Sequence, residues 1–136
     1  MVAQRYMLDT NIASYIVRGP NPTLAAHLVA VPVAQLCVSA ITQAELLHGV
    51  ARKPGATNLH TAVREFLMRI DVLAWDSEAA TRYGVLRAAL EAAGTPLGNL
   101  DTLIAAHAVA AEAVLVTNDQ TFAYVPGLVL ENWVLP

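Results

Sequence analysis

The chain has 136 residues, of which 56% are hydrophobic and only 14% charged, with a formal net charge of −3. That length suits one domain, residues 1–136, able to bury a sizeable core, and the composition excludes intrinsic disorder. Charge well below the usual quarter implies apolar patches that a partner covers, so a dimer or a stable complex is expected.

In chain order, Arg5 to Leu8 reads as a strand ending at Asp9, and Asn11 to Val17 as a short helix stopped by the run Arg-Gly-Pro-Asn-Pro. Thr23 to Ala30 is a second helix that Pro32 ends. No Asp, Glu, Lys or Arg lies between Arg18 and Glu45. A membrane span needs about 20 mostly apolar residues, and Pro20, Pro22, His27, Pro32 and Gln35 interrupt this one. The start lacks the long apolar core of a signal peptide, so a cytoplasmic protein without a membrane segment is expected.

Leu36 to Ser39 is a buried strand holding Cys37, the single cysteine. It has no disulfide partner in the chain and no second cysteine for zinc, and it reads as a small core residue of a reducing compartment. Helices follow over Thr42 to Arg52 and Thr57 to Arg69, then a short strand from Asp71 to Ala74. Ser77 to Ala93 is the clearest helix. Asp76 or Ser77 caps it, Ala79, Tyr83, Leu86 and Leu90 share a face, and Gly94 ends it. Asn99 is expected to cap a helix running to about Ala111. Val114 to Thr117 is a buried strand and Val129 to Glu131 an edge strand. Strands alternating with helices predict an α/β domain with a mostly parallel central sheet flanked by helices.

Four acids stand at element ends: Asp9, Glu45, Asp101 and Asp119. Parallel sheets bind ligands beyond the carboxyl ends of their strands. Asp9 and Asp119 fall just past two such ends, while Glu45 and Asp101 are expected in the first turns of helices, where the dipole favours negative charge. Taken singly, Asp9 reads equally well as a turn and cap residue, Asp119 as a turn residue, Asp101 as a complement to the helix dipole and Glu45 as a helix former facing solvent. As a set they are bracketed by apolar sequence with few bases nearby, and carboxylates brought together repel unless a cation joins them. Mg²⁺ or Mn²⁺ prefers such oxygen ligands. The pattern points to a metal-dependent hydrolase of phosphodiesters. With the four acids set aside, seven acids face eight bases, a balance that favours a polyanionic substrate once metal is bound. Arg52-Lys53 is the best basic pair for RNA. His27, His48, His60 and His107 show no zinc spacing and read as structural. Gly49, inside a helix, suggests close packing.

At these residues the chain resembles the PIN-domain nucleases, specifically the VapC toxins of bacterial toxin–antitoxin pairs. The segments that carry the resemblance are YMLDTN, SAITQAELLHG, GTPLGNLDTLIAAHA and VLVTNDQTFAYVPGLVLENW. The resemblance implies a PIN-like fold, with Asp9, Glu45, Asp101 and Asp119 as the catalytic, metal-binding acids. Asn11, Thr117 and Asn118 match its supporting polar positions. It further implies Mg²⁺- or Mn²⁺-dependent ribonuclease activity on structured RNA such as tRNA or rRNA, with inhibition of translation as the outcome. A homodimer and a small VapB-type antitoxin complete the set of expected partners. Two alternatives compete: a non-catalytic metal- or partner-binding module, and a phosphatase or phosphoryl-receiver domain with Asp9 as nucleophile. The second lacks the usual nearby lysine, since Lys53 is the only one and sits in a loop away from any strand end.

Overall fold

In the computed structural model, which describes residues 3–136, five strands form one sheet in the order β3-β2-β1-β4-β5. They are β1 (Tyr6–Leu8), β2 (Leu36–Ser39), β3 (Asp71–Leu73), β4 (Val114–Val116) and β5 (Leu130–Glu131). Every pairing is parallel, for instance Met7 with Cys37 and with Leu115. The interior strands β2 and β4 are buried at every residue, whereas the edge strands β3 and β5 are not. That contrast is the expected mark of a sheet covered on both faces.

Side chains alternate across the sheet with a period of two. Met7, Cys37 and Leu115 point to one face, where they meet Leu86 and Leu90 of α5 (Ser77–Ala93) and Ile104, Ala105 and Ala108 of α6 (Asn99–Ala110). Leu8, Val38 and Val116 point to the other, against Ile12 of α1 (Thr10–Arg18), Leu24 of α2 (Pro22–Ala30), and Ile70 at the end of α4 (Thr57–Arg69). A smaller core of Ala13, Leu46 and Val63 joins α1 and α4 to α3 (Ala40–Ala51). Cys37 lies in the first core, and burial pushes its thiol up to about 11, which leaves it unreactive.

The punctuation expected of α5 holds. The Asp76 carboxylate accepts from the Ala79 amide at 3.0 Å, and Gly94 closes the helix at a φ of 70°. Two starts differ from expectation. Helix α3 begins at Ala40, capped by the Ser39 hydroxyl, so Glu45 falls in its second turn, beyond the reach of the helix dipole. Helix α6 is preceded by Gly98, whose carbonyl takes both the amide and the hydroxyl of Thr102, so Asn99 is the first helical residue and caps nothing. Short 3₁₀ turns at Val33–Gln35 and Gln120–Tyr124 were not foreseen. Among the described residues no helix is long and apolar enough to cross a membrane.

Candidate active site

The sheet order places β1 at the point where the chain switches direction: β2 and β3 extend it one way, β4 and β5 the other. Ligands of open parallel sheets bind at the carboxyl ends of strands flanking such a switch. Asp9 follows β1 directly. Its amide donates to the Val116 carbonyl of β4 at 3.0 Å, and its carboxylate accepts from the Ile12 amide at 2.9 Å. Asp9 is therefore both an extension of the sheet and the N-cap of α1. It is 4% exposed.

Asp119 enters the same rim from β4. Its amide donates to the Thr117 hydroxyl oxygen at 3.0 Å, while its own carboxylate is held by the amide and hydroxyl of Thr121. Thr117, itself 4% exposed, hydrogen-bonds the Asp9 side chain. The chain of contacts from Asp119 through Thr117 to Asp9 locks the two strand ends together. Glu45 comes from α3. Its Oε1 accepts from the Thr10 hydroxyl at 2.7 Å, and Thr10 lies 3.1 Å from the hydroxyl of Thr42, one turn before Glu45. Asp101 opens α6.

Electrostatics tie the four acids into one group. Burial lifts the Asp9 carboxyl from the ordinary 3.8 to about 6; its hydrogen bonds to Thr117 and Ile12 pull it down, and the charges of Asp101 and Asp119 push it up. Burial also raises Asp101, reinforced by Glu45 and Asp119. The charges felt by Asp9 and Asp101 are all negative, and among the described residues none of the four acids makes an ion pair. The rim is an uncompensated negative site, which is the condition a hard cation relieves. Among the described residues no group of three or more His, Cys, Asp or Glu side chains is placed to hold a metal ion by itself. A Mg²⁺ site does not require one, because that ion keeps several waters and takes one or two carboxylates with the substrate's phosphate.

The supporting residues differ in part from those expected. Thr117 holds Asp9. Asn118 instead reaches the Tyr15 hydroxyl at 3.4 Å. Asn11 is exposed, with no side-chain hydrogen bond to an acid among the described residues; its neighbour Thr10 holds Glu45. Thr10 and Thr42 were legible only as hydroxyls close in sequence to Asp9 and Glu45. Arg52 and Lys53 are exposed at the end of α3, lining the same cleft as Glu45. His107 is 3% exposed, hydrogen-bonded through Nδ1 to Ser39 Oγ at 2.7 Å, and His27 stacks on Trp133, both away from chemistry. Gly49 does not serve close packing: a Cβ there would meet nothing within 4 Å. As a helix-interior residue it still costs about 1 kcal/mol relative to alanine.

A parallel sheet with an acid rim at its switch point is a framework suited to hydrolysis. The PIN domain family model matches residues 6–128. The chain is 33% identical to the tRNA(fMet)-specific endonuclease VapC of Salmonella typhimurium, across 95% of this chain and 98% of that one. It is 36% identical to ribonuclease VapC2 of Rickettsia felis, across 94% and 97%. Among solved structures, the DNA-bound VapBC of S. typhimurium superposes with a TM-score of 0.90 at 32% identity, covering 96% of this chain and 99% of that one. VapBC2 of R. felis, bound to a DNA fragment from its promoter, superposes at 0.88 with 35% identity over 96% and 99%. The chain belongs to the PIN-domain family of nucleases, in its VapC ribonuclease branch.

Proposed function

We infer that this protein is a Mg²⁺- or Mn²⁺-dependent endoribonuclease, the toxin of a toxin–antitoxin pair, which cuts structured RNA of the tRNA or rRNA kind in the cytoplasm and so stops translation. The observation that carries this reading is the gathering of Asp9, Glu45, Asp101 and Asp119 at one rim with no basic side chain to neutralise them. Asp9 and Asp101 would hold the ion directly, with Glu45 and Asp119 contributing directly or through water. A divalent ion bound there supplies a water of lowered pKa and neutralises charge developing on the phosphate.

The chain's own residues do the positioning. The Ile12 amide holds Oδ1 of the Asp9 carboxylate and Thr117 supports the same side chain, which restrains its orientation. Thr10 occupies Glu45 Oε1, which leaves Oε2 to orient the attacking water and take its proton. In-line displacement at phosphorus then needs no histidine or serine nucleophile.

A VapB-type antitoxin is the proposed regulator, since the relatives in S. typhimurium and R. felis are found as VapBC complexes. An apolar cleft of about 320 Å³ between α1, α2 and α4, lined by Ile16, Leu28, Phe66 and Ile70, suits an amphipathic helix. A homodimer is proposed as the free form of the protein. The test is incubation of purified protein with initiator tRNA, with Mg²⁺ or with chelator. Discrete cleavage with Mg²⁺ is expected, and none with chelator or with a folded Asp9→Asn variant. Equal cleavage by Asp9→Asn in chelator would refute the metal role.

A further inference from the structure

Beside the acid rim, α1, α3 and α4 enclose a cleft of about 270 Å³. Thr10 and Glu45 line it at one end. Arg18, at the end of α1, and Arg52 and Lys53, at the end of α3, line it as well. Among the described residues these three cations enter no salt bridge. Helix dipoles account for basic residues at helix ends. They do not account for two such ends opening into the cleft that Glu45 also lines.

Gly49 is the second, independent sign. Glu45, Gly49 and Arg52 lie four and three residues apart, so one face of α3 carries all three, and Gly49 sits between the acid and the cation. All three line the cleft. The glycine weakens its helix and repays nothing inside the protein, because no atom stands within 4 Å of where its Cβ would be. A glycine is of use where a ligand must approach the helix closely. From Glu45 to Arg52 the helix advances about 10 Å, which spans more than one nucleotide of a strand.

We propose that this cleft is a strand-binding subsite: the RNA flanking the cut bond passes over Gly49, with its backbone phosphates held by Arg18, Arg52 and Lys53. The inference rests on the ribonuclease reading above and assigns that reaction a direction along α3. The cations hold phosphates and carry no sequence information, so the subsite sets grip and register rather than base choice. His48, exposed on the same wall, is placed to touch the strand.

The test uses the full chain with Asp101→Asn to block cleavage, and binding of an initiator tRNA transcript followed by anisotropy across a salt series. Wild-type protein is first assayed for Mg²⁺-dependent cleavage of that transcript; failure there sinks the ribonuclease reading and is scored apart from the subsite. Gly49→Leu should weaken binding about tenfold without lowering Tm, and Gly49→Ala should raise Tm by a few degrees. Arg18→Ala/Arg52→Ala/Lys53→Ala should flatten the slope of log affinity against log salt by about 2, at roughly 0.7 per phosphate contact. Arg64→Ala/Arg82→Ala, the same kind of charge loss placed outside the cleft, should leave the slope near the parent's. The proposal is overturned if Gly49→Leu binds as tightly as its parent, if Gly49→Ala lowers Tm, or if the triple variant keeps the parent slope.

Discussion

Asp9 and His107 are both buried, titratable and close to the sheet, yet their surroundings oppose each other. His107 accommodates burial by staying neutral: loss of water lowers its pKa, and the Ser39 hydroxyl satisfies its Nδ1. Asp9 has no such exit. Thr117 and Ile12 bond its carboxylate, but its charged neighbours are Asp101 and Asp119. Burial of a polar group is therefore not in itself a sign of function. The sign is burial among like charges, where only an added cation restores balance.

The largest test of this contrast is a pair of substitutions. Asp101→Asn should cut RNA cleavage by at least about a thousandfold while leaving the protein folded, and its Tm in chelator should not fall, because one repelling charge is gone. His107→Ala should do the reverse, losing about 3 kcal/mol of stability through a cavity and an orphaned Ser39, with cleavage per folded molecule kept. Urea melts and RNA assays on both variants settle it; a stable, inactive His107→Ala would erase the distinction.

The two groups should also bend the pH dependence of metal-free stability in opposite directions. Asp9 has a raised native pKa, so the native state holds the proton longer than the unfolded state. Its contribution is full below about 4 and is lost as pH rises through about 6, an upper limit of about 3 kcal/mol. His107 has a lowered native pKa, so its contribution is full above about 6.5 and is lost as pH falls through its native value. Stability measured in chelator should lose the first slope in Asp9→Asn and the second in His107→Gln.

A smaller effect follows from metal. With Mg²⁺ at ten times its Kd, the wild type should gain about 1.4 kcal/mol by mass action, read as a higher Tm, and Asp9→Asn should gain much less. Smallest of all in its effect on rate, Thr10→Val should remove one hydrogen bond from Glu45, lowering kcat about tenfold, and should lower Tm as well because the buried Thr42 hydroxyl loses its partner. An unchanged kcat would show that Glu45 is held by other means.

Much of the architecture was legible residue by residue. The strand Leu36–Ser39 and the helices Thr57–Arg69 and Ser77–Ala93 fall at the bounds their patterns imply, because apolar periodicity and the Asp76 and Gly94 signals are local. The start of α3 departs from expectation because Ser39 serves at once as the last residue of β2 and as the side-chain cap of the helix, and that of α6 because the Gly98 carbonyl does its work without any side chain. Thr10 as the holder of Glu45 was out of reach for another reason: the two are 35 positions apart and meet only across packed helices.

By itself the order of residues determined the α/β class, the element spacing and the place of Asp9, Asp101 and Asp119 at element ends, though not that of Glu45, since hydrophobic period and turn chemistry act over a few residues. Tertiary structure decided what those acids are to one another. Only the strand order β3-β2-β1-β4-β5 sets β1 beside β4, so that Asp9 and Asp119 meet at one rim. Only the packing of α3 and α6 brings Glu45 and Asp101 within range of their charge. Electrostatic coupling depends on distance in space and on excluded water, neither of which a linear chain expresses before it folds.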